Sequence, residues 1–311
     1  MTSEYLSDKA TGPILVSISC ITYNHAPYIR QCLDGFMMQQ TNFAFEVLIH
    51  DDASTDGTTD IIKEYEAQYP DIIKPIYEEE NQWVKGRRGS AVFNFPRANG
   101  KYIALCEGDD YWTDTLKLQK QVDFLESNQY YSMCSHWYVI SYDHGKQICH
   151  IEPSIQEFTI DNLIRGEFPI QTATVLYRKM ALNLEIFNSL RWSMDASLFY
   201  LVLKTGKCYI LDDTMSTYRV HSGGVWSGTS NEEHIKSRIN VVRALYDIEH
   251  SDIAARYLIN QYSKGVGRKW MLTYFIQNMN NLIIGSRHFG VRKILKFCID
   301  VFILNKPNIS I

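Results

Sequence analysis

Several signatures that would decide the class of this 311-residue chain at once are missing. None of its seven cysteines stands in a CxxC pair, so the common zinc and dithiol patterns drop out; odd in number and scattered, they argue for a reducing compartment. There is no GxGxxG after the first apolar run and no GxxxxGK[ST] loop, so a bound nucleotide is held by some other device. No apolar stretch approaches the roughly 20 residues of a membrane-spanning helix. The opening MTSEYLSDKATG lacks the apolar core of a signal peptide, and a cytoplasmic protein is expected. Nor is the chain basic: a net charge of −4 gives no reason to expect nucleic acid as a partner. Internal repeats and low-complexity tracts are also absent.

What remains is an ordinary globular composition, 45% hydrophobic and 21% charged, with enough apolar material for a real core. Strands and helices alternate through the first third. Ile14 to Thr22 reads as a strand, and Pro27 opens a helix carrying Ile29, Cys32, Leu33, Phe36 and Met37 on one face. Phe45 to Ile49 is a second strand, followed by a helix marked by Ile61, Ile62, Tyr65 and Tyr69 and stopped at Pro70. Ile72 to Tyr77 and Lys101 to Leu105 are further strands, with a polar loop and a short helix over 91–98 between them. Such alternation predicts an open, mainly parallel α/β sheet with right-handed crossovers, whose ligands bind beyond the carboxyl ends of the strands. Downstream, the pattern predicts a helix over 114–128, strands over 132–141 and 171–178, and helices over 179–189 and 194–204. It then gives a short strand over 207–211, an extended or looped 214–220, and helix from about Glu232 onward.

Two strands end in acids: Ile49 leads to Asp51 and Asp52, and Leu105 leads to Glu107, Gly108, Asp109 and Asp110. Carboxylates this crowded repel one another unless a cation sits among them, and an all-oxygen set suits Mg²⁺ or Mn²⁺. Extended backbone past Leu105 would turn Glu107 and Asp109 to one side.

Five segments in order, ISCITYNHAPYI, EVLIHDDASTDGT, GKYIALCEGDDYW, WSMDASLF and YRVHSGG, resemble the family 2 glycosyltransferases over roughly residues 14–224. The resemblance implies a GT-A (Rossmann-like) α/β fold, with a mixed, mainly parallel sheet flanked by helices. Together with the helical pattern from about Glu232, it gives a catalytic domain over 1–228 and a C-terminal helical region over 229–311. It further implies an inverting transfer from a nucleotide-diphosphate sugar to a hydroxyl of a glycan or lipid-linked acceptor, in surface polysaccharide synthesis. By the same resemblance Thr22, Tyr23 and Asn24 line the base and ribose pocket, and Asp51 or Asp52 bonds the base or ribose. Glu107-Gly108-Asp109, with Asp110, stands in the place of a DxD motif that holds metal and diphosphate, its first acid being Glu. Asp195 matches the catalytic base, and His221 falls near the metal or diphosphate, where an imidazole can ligate Mn²⁺ or an imidazolium can bond phosphate. Arg97 matches a basic position near the donor; read alone it is equally a helix-end cation.

Lys85, Arg87 and Arg88 form a basic loop that can reach an anionic ligand or simply be solvated. Trp112 suits stacking on a sugar or base, or a core anchor. From Lys264 to Ile311 eight bases face one acid among apolar helical patterns, which suits a peripheral position at the inner membrane face, a homodimer, or packing on the catalytic domain. Carboxylate-held Mg²⁺ also serves nucleotidyl and phosphoryl transferases, and a degenerate site would leave a non-catalytic nucleotide-sugar-binding protein.

Overall fold

The computed structural model describes residues 12–87, 89–142, 147–190, 194–224 and 230–249. The basic segment over 264–311, and with it any membrane or dimer contact through C-terminal helices, lies outside the described residues. The chain divides into two compact units, Met1–Ile160 with Phe168–Thr229, and Asp161–Glu167 with Ser230–Ile311.

The first unit is built on one mixed, mostly parallel ten-stranded sheet. Strands β1 (Ile14–Thr22), β2 (Ala44–Asp51), β3 (Ile73–Tyr77) and β4 (Tyr102–Leu105) form its parallel half in the order β3-β2-β1-β4. β2 and β4 are buried along their whole length, which is why they read as near-continuous apolar runs. Helix α1 (Ile29–Met37) covers one face with Ile29, Cys32, Leu33, Phe36 and Met37; α2 (Thr58–Gln68) follows β2 and buries Ile62 and Tyr65. A buried glutamate ties the sheet together at the far end: Glu46 accepts from Ser17 Oγ at 2.6 Å and from the Asn99 backbone N–H at 2.7 Å.

The sheet continues through β5 (Tyr111–Trp112), β6 (Tyr131–Tyr142), β7 (Gln147–Ile151), β8 (Glu157–Phe158), β9 (Leu176–Arg178) and β10 (Lys207–Val220). Helix α3 (Lys117–Ser127) precedes β6, and β6 and β10 pair in parallel over their length. Several elements differ from the sequence reading. Residues 207–220 form one strand, because register shifts between Leu211 and Ser216 carry the ladder past Asp212 and Asp213. Residues 171–178 divide into a helical turn at Thr172–Thr174 and the short β9, since Thr174 Oγ1 bonds back to the Gln171 carbonyl at 2.6 Å. The short helix expected over 91–98 is a wide turn at Ser90–Asn94 running into a tight one at Phe95–Arg97, and the helix expected over 179–189 starts only at Leu184.

In the second unit the long helix over Asn231–Glu249 is opened by a capping box. Ser230 N donates to Glu233 Oε2 at 2.8 Å while Glu233 N donates to Ser230 Oγ at 3.3 Å. Among the described residues no helix is long and apolar enough to cross a membrane.

Candidate active site

The loops after β1 and β2 are laced together by the residues that make their motifs recognisable. Asn24, at φ 55°, donates its N–H to Ser54 Oγ at 2.9 Å and accepts from Thr55 N with Oδ1 at 2.8 Å. His25 N donates to Thr58 Oγ1 at 2.8 Å, and Ala26 N to Asp56 Oδ2 at 2.9 Å. Asp51 is buried and accepts from Ser54 N and from Thr59 Oγ1, so it shapes the turn into α2. Asp52 accepts from Gln82 N at 2.6 Å and Trp83 N at 3.1 Å, pinning the polar loop that follows β3. Of Thr22, Tyr23 and Asn24, Tyr23 alone is exposed, at 46%; Thr22, the last residue of β1, is buried. Arg97 is neither a solvated helix-end cation nor free, for its Nη2 donates to the Ile49 carbonyl at 3.0 Å and to Asn94 Oδ1 at 3.0 Å.

Past Leu105 the chain turns instead of staying extended: Gly108 N donates to the Ile21 carbonyl at 3.0 Å and Asp110 N to the Glu107 carbonyl at 3.1 Å. A β-carbon on Gly108 would lie 2.7 Å from Thr22 Oγ1 and 2.9 Å from Ile29 Cδ1, so only glycine lets the turn sit on the end of β1. The turn sends its three acids to three different partners. Glu107 accepts from Thr172 Oγ1 at 2.6 Å. Asp109 Oδ2 lies 3.1 Å from His221 Nε2 and 3.7 Å from His25 Nε2. Asp110 accepts the Arg219 backbone N–H at 2.8 Å.

Their protonation follows from these surroundings. Burial, and then the nearby Asp195 charge, push the Glu107 carboxyl up to about 8. Burial raises Asp110 well above the carboxylate range, helped by the charges of Asp109 and Glu107. Asp109 runs the other way: burial works against ionisation, but the hydrogen bond with His221 and the charges of His25 and His221 hold its carboxyl low. Asp195 stands in the first turn of the helix over Met194–Leu203, where burial lifts it to about 6. Glu107, Thr172 and Asp195 line one cavity with Ser19, Ser90 and Leu198. Tyr218 belongs to the same neighbourhood: burial, then the charges of Asp110, Asp109, Glu107 and Asp195, raise its phenol.

The structure therefore brings Glu107, Asp109, Asp110, Asp195 and His221 together, and holds Thr22 against Gly108. Asp51, Asp52 and Asn24 build the neighbouring loops. Asp109 and His221 are the pair best placed to hold a cation, though among the described residues no group of three or more His, Cys, Asp or Glu side chains is arranged to do so. Trp112 is a core anchor, packed on Phe36 with Nε1 donating to the Ala173 carbonyl at 2.9 Å. Thr172, Arg219, Tyr218 and His25 escaped the sequence reading as site residues. The YRVH segment holds two of them, but their partners come from strand pairing that linear spacing does not reveal.

Comparison with known proteins bears on the family and the fold. The model of the family described as glycosyl transferase family 2 matches residues 17–187. An uncharacterized protein of Mycobacterium tuberculosis is 35% identical over 262 residues, covering 82% of this chain and 74% of its own. The Escherichia coli UDP-Glc:alpha-D-GlcNAc-diphosphoundecaprenol beta-1,3-glucosyltransferase WfaP is 34% identical over 125 residues, 40% of this chain and 47% of that protein. Among solved structures, S. aureus TarS 1-349 in complex with UDP-GlcNAc superposes with a TM-score of 0.56 at 19% identity, covering 93% of this chain and 82% of that one.

Proposed function

This chain belongs to glycosyl transferase family 2, and from that premise we propose that its first unit is an inverting transferase acting on a nucleoside-diphosphate sugar. The acceptor is a hydroxyl of a glycan or of a lipid-linked sugar in surface polysaccharide synthesis. A diphosphoundecaprenol-linked acceptor in the name of the E. coli relative supports that class, and the UDP-GlcNAc complex of a protein sharing the fold supports a UDP-sugar as the first donor to try.

One observation carries the reading. A carboxylate of raised basicity, Asp195, lines a cavity whose wall is the turn bearing Asp109. Asp195 is the group that takes the proton from the acceptor hydroxyl as its oxygen attacks the anomeric carbon. A pKa of about 6 leaves it mostly ionised at neutral pH and more basic than an ordinary aspartate. Tyr23 is exposed beside the laced loops, which supports a role against the nucleoside. Glu107, fastened by Thr172, stays on the cavity side of the turn, and the loops after β1 and β2 close the donor end.

Asp109 and His221, one carboxylate oxygen and one imidazole nitrogen facing each other at 3.1 Å, would hold Mn²⁺ or Mg²⁺ here. When bound, such an ion offsets the charge developing on the departing diphosphate. Asp109 is suited to this because its surroundings keep it ionised.

Thermal-shift screening of UDP-, GDP-, CMP- and dTDP-sugars, each with Mn²⁺, tests the reading. One donor should raise the midpoint, by about 2.7 kcal/mol of stabilisation at a hundredfold excess over Kd. The shift should vanish in Asp109→Ala, and incubation with acceptor should release the nucleoside diphosphate. No shift with any donor contradicts the reading, and a shift without turnover on acceptors would make this a binding protein.

A further inference from the structure

Asp109 and His221 stand 112 residues apart, and the side chain that joins their two segments is Arg219. Its backbone N–H donates to Asp110 Oδ1 at 2.8 Å. Its guanidinium donates through Nη1 to the Asp109 carbonyl oxygen and through Nη2 to Gln31 Oε1 on α1. The guanidinium carbon lies 4.2 Å from the Tyr111 ring centroid and 5.3 Å from that of Tyr28. Tyr28 in turn packs on the His221 ring at 4.5 Å between centroids. Strand pairing delivers the arginine there: Ser216 and Thr217 of β10 pair antiparallel with Trp112 and Tyr111 of β5, the strand that directly follows the acidic turn.

This arrangement is unlike that of a cation waiting for phosphate. Two of the guanidinium nitrogens are turned to protein acceptors, and Tyr111 and Tyr28 lie within cation–π distance of it. Lysine cannot reproduce such a set, because its ammonium is a point charge without a planar fork. We infer that Arg219 is a positioning residue, a brace that locks the acidic turn to α1 and β10 and so sets the Asp109 carboxylate against His221. It contributes to transfer by that geometry and makes no contact with the donor phosphates.

The inference rests on the function proposed above. Arg219→Lys, Arg219→Gln and Gln31→Ala are compared with the wild-type full chain in two assays. These are steady-state sugar transfer, and binding of Mn²⁺ alone followed by the electron paramagnetic resonance of the free ion. Both arginine variants should lose about 10- to 100-fold in kcat or in Mn²⁺ affinity, the range typical of groups that orient a metal ligand. Lysine should do no better than glutamine, donor KM should change little, and Gln31→Ala should fall between. Recovery of activity by Arg219→Lys, with the loss in Arg219→Gln confined to donor KM, would show a phosphate-binding charge and overturn the brace. If Arg219→Gln does not fold, wild-type behaviour of both Arg219→Lys and Gln31→Ala overturns it. Asp109→Ala run alongside separates the two ideas. Wild-type transfer in that variant overturns the reading of the turn and the brace with it, whereas a dead Asp109→Ala beside active arginine variants overturns the brace alone.

Discussion

Thr172 Oγ1 donates to Glu107 Oε2 at 2.6 Å, fastening the first acid of the turn to the wall of the cavity that both share with Asp195. Thr172→Val removes the donor and leaves a buried carboxyl short of a partner, which costs about 1–3 kcal/mol. Transfer should slow about tenfold, as for other groups that orient a site residue, while Thr172→Ser keeps the hydroxyl and should behave as wild type. Thermal unfolding and steady-state rates on the two variants check this; unchanged rates and midpoint in Thr172→Val would mean that the bond does nothing for the site.

Gly108 is where the turn meets β1. The 2.7 Å approach of an added β-carbon to Thr22 Oγ1 must be relieved by moving the turn or the strand. Gly108→Ala should therefore destabilise by about 1–3 kcal/mol, the usual range for overpacking. It should also weaken donor binding, because Asp109 moves with the turn. Calorimetry and donor titration on the same sample measure both.

Lys117 is fully buried over the Trp112 ring at 4.1 Å, with Gln121 Oε1 accepting from Nζ at 2.7 Å, and burial pushes its amine down to about 7. Below pH 7 folded and unfolded chains both carry the proton. Between pH 7 and the unfolded lysine value the unfolded chain alone holds it, so this residue makes stability rise with pH, by up to about 1.4 kcal/mol per unit. Lys117→Met should flatten that rise and raise the midpoint at pH 7, since an apolar group of similar length no longer requires a buried charge. Denaturation midpoints at pH 7 and pH 9 for both proteins decide it; parallel shifts would show that the amine stays charged throughout.

Asp195 must be ionised to accept a proton, and its pKa is raised. The rate should accordingly fall as pH drops through about 6, tenfold per unit below it. The pH profile of kcat/KM measures the free enzyme; an acid limb near the ordinary aspartate value, about 4, would place the titrating base elsewhere.

Much of this architecture was legible in the residues. β1 emerges with the bounds that Ile14 to Thr22 suggested, and α1, β2, α2 and β4 lie where periodicity and Pro70 put them, because each buries a continuous apolar face. β7 was not legible, being an exposed strand whose sequence, QICHI, has no buried face to impose alternation. β10 was hidden by Asp212 and Asp213, which sit where its register slips. In the site, the acids of 107–110 declared themselves by crowding, and Asp195 and His221 through family resemblance. Thr172, Arg219 and Tyr218 did not, since each gains its place from contacts made across 65 or more residues of sequence. The acids of the second loop were read for their charge, whereas Asp51 and Asp52 spend theirs on backbone and hydroxyl donors.

Asp195→Asn offers the most direct measurement, made as single-turnover sugar transfer together with donor binding on the same preparation. Asparagine keeps the size of the side chain and removes its basicity. The transfer rate should fall about 10²- to 10⁴-fold, the usual worth of a general base, with donor Kd nearly unchanged. A variant that transfers sugar at close to the wild-type rate would contradict the assignment of Asp195 as the base and the reading of the cavity built around it.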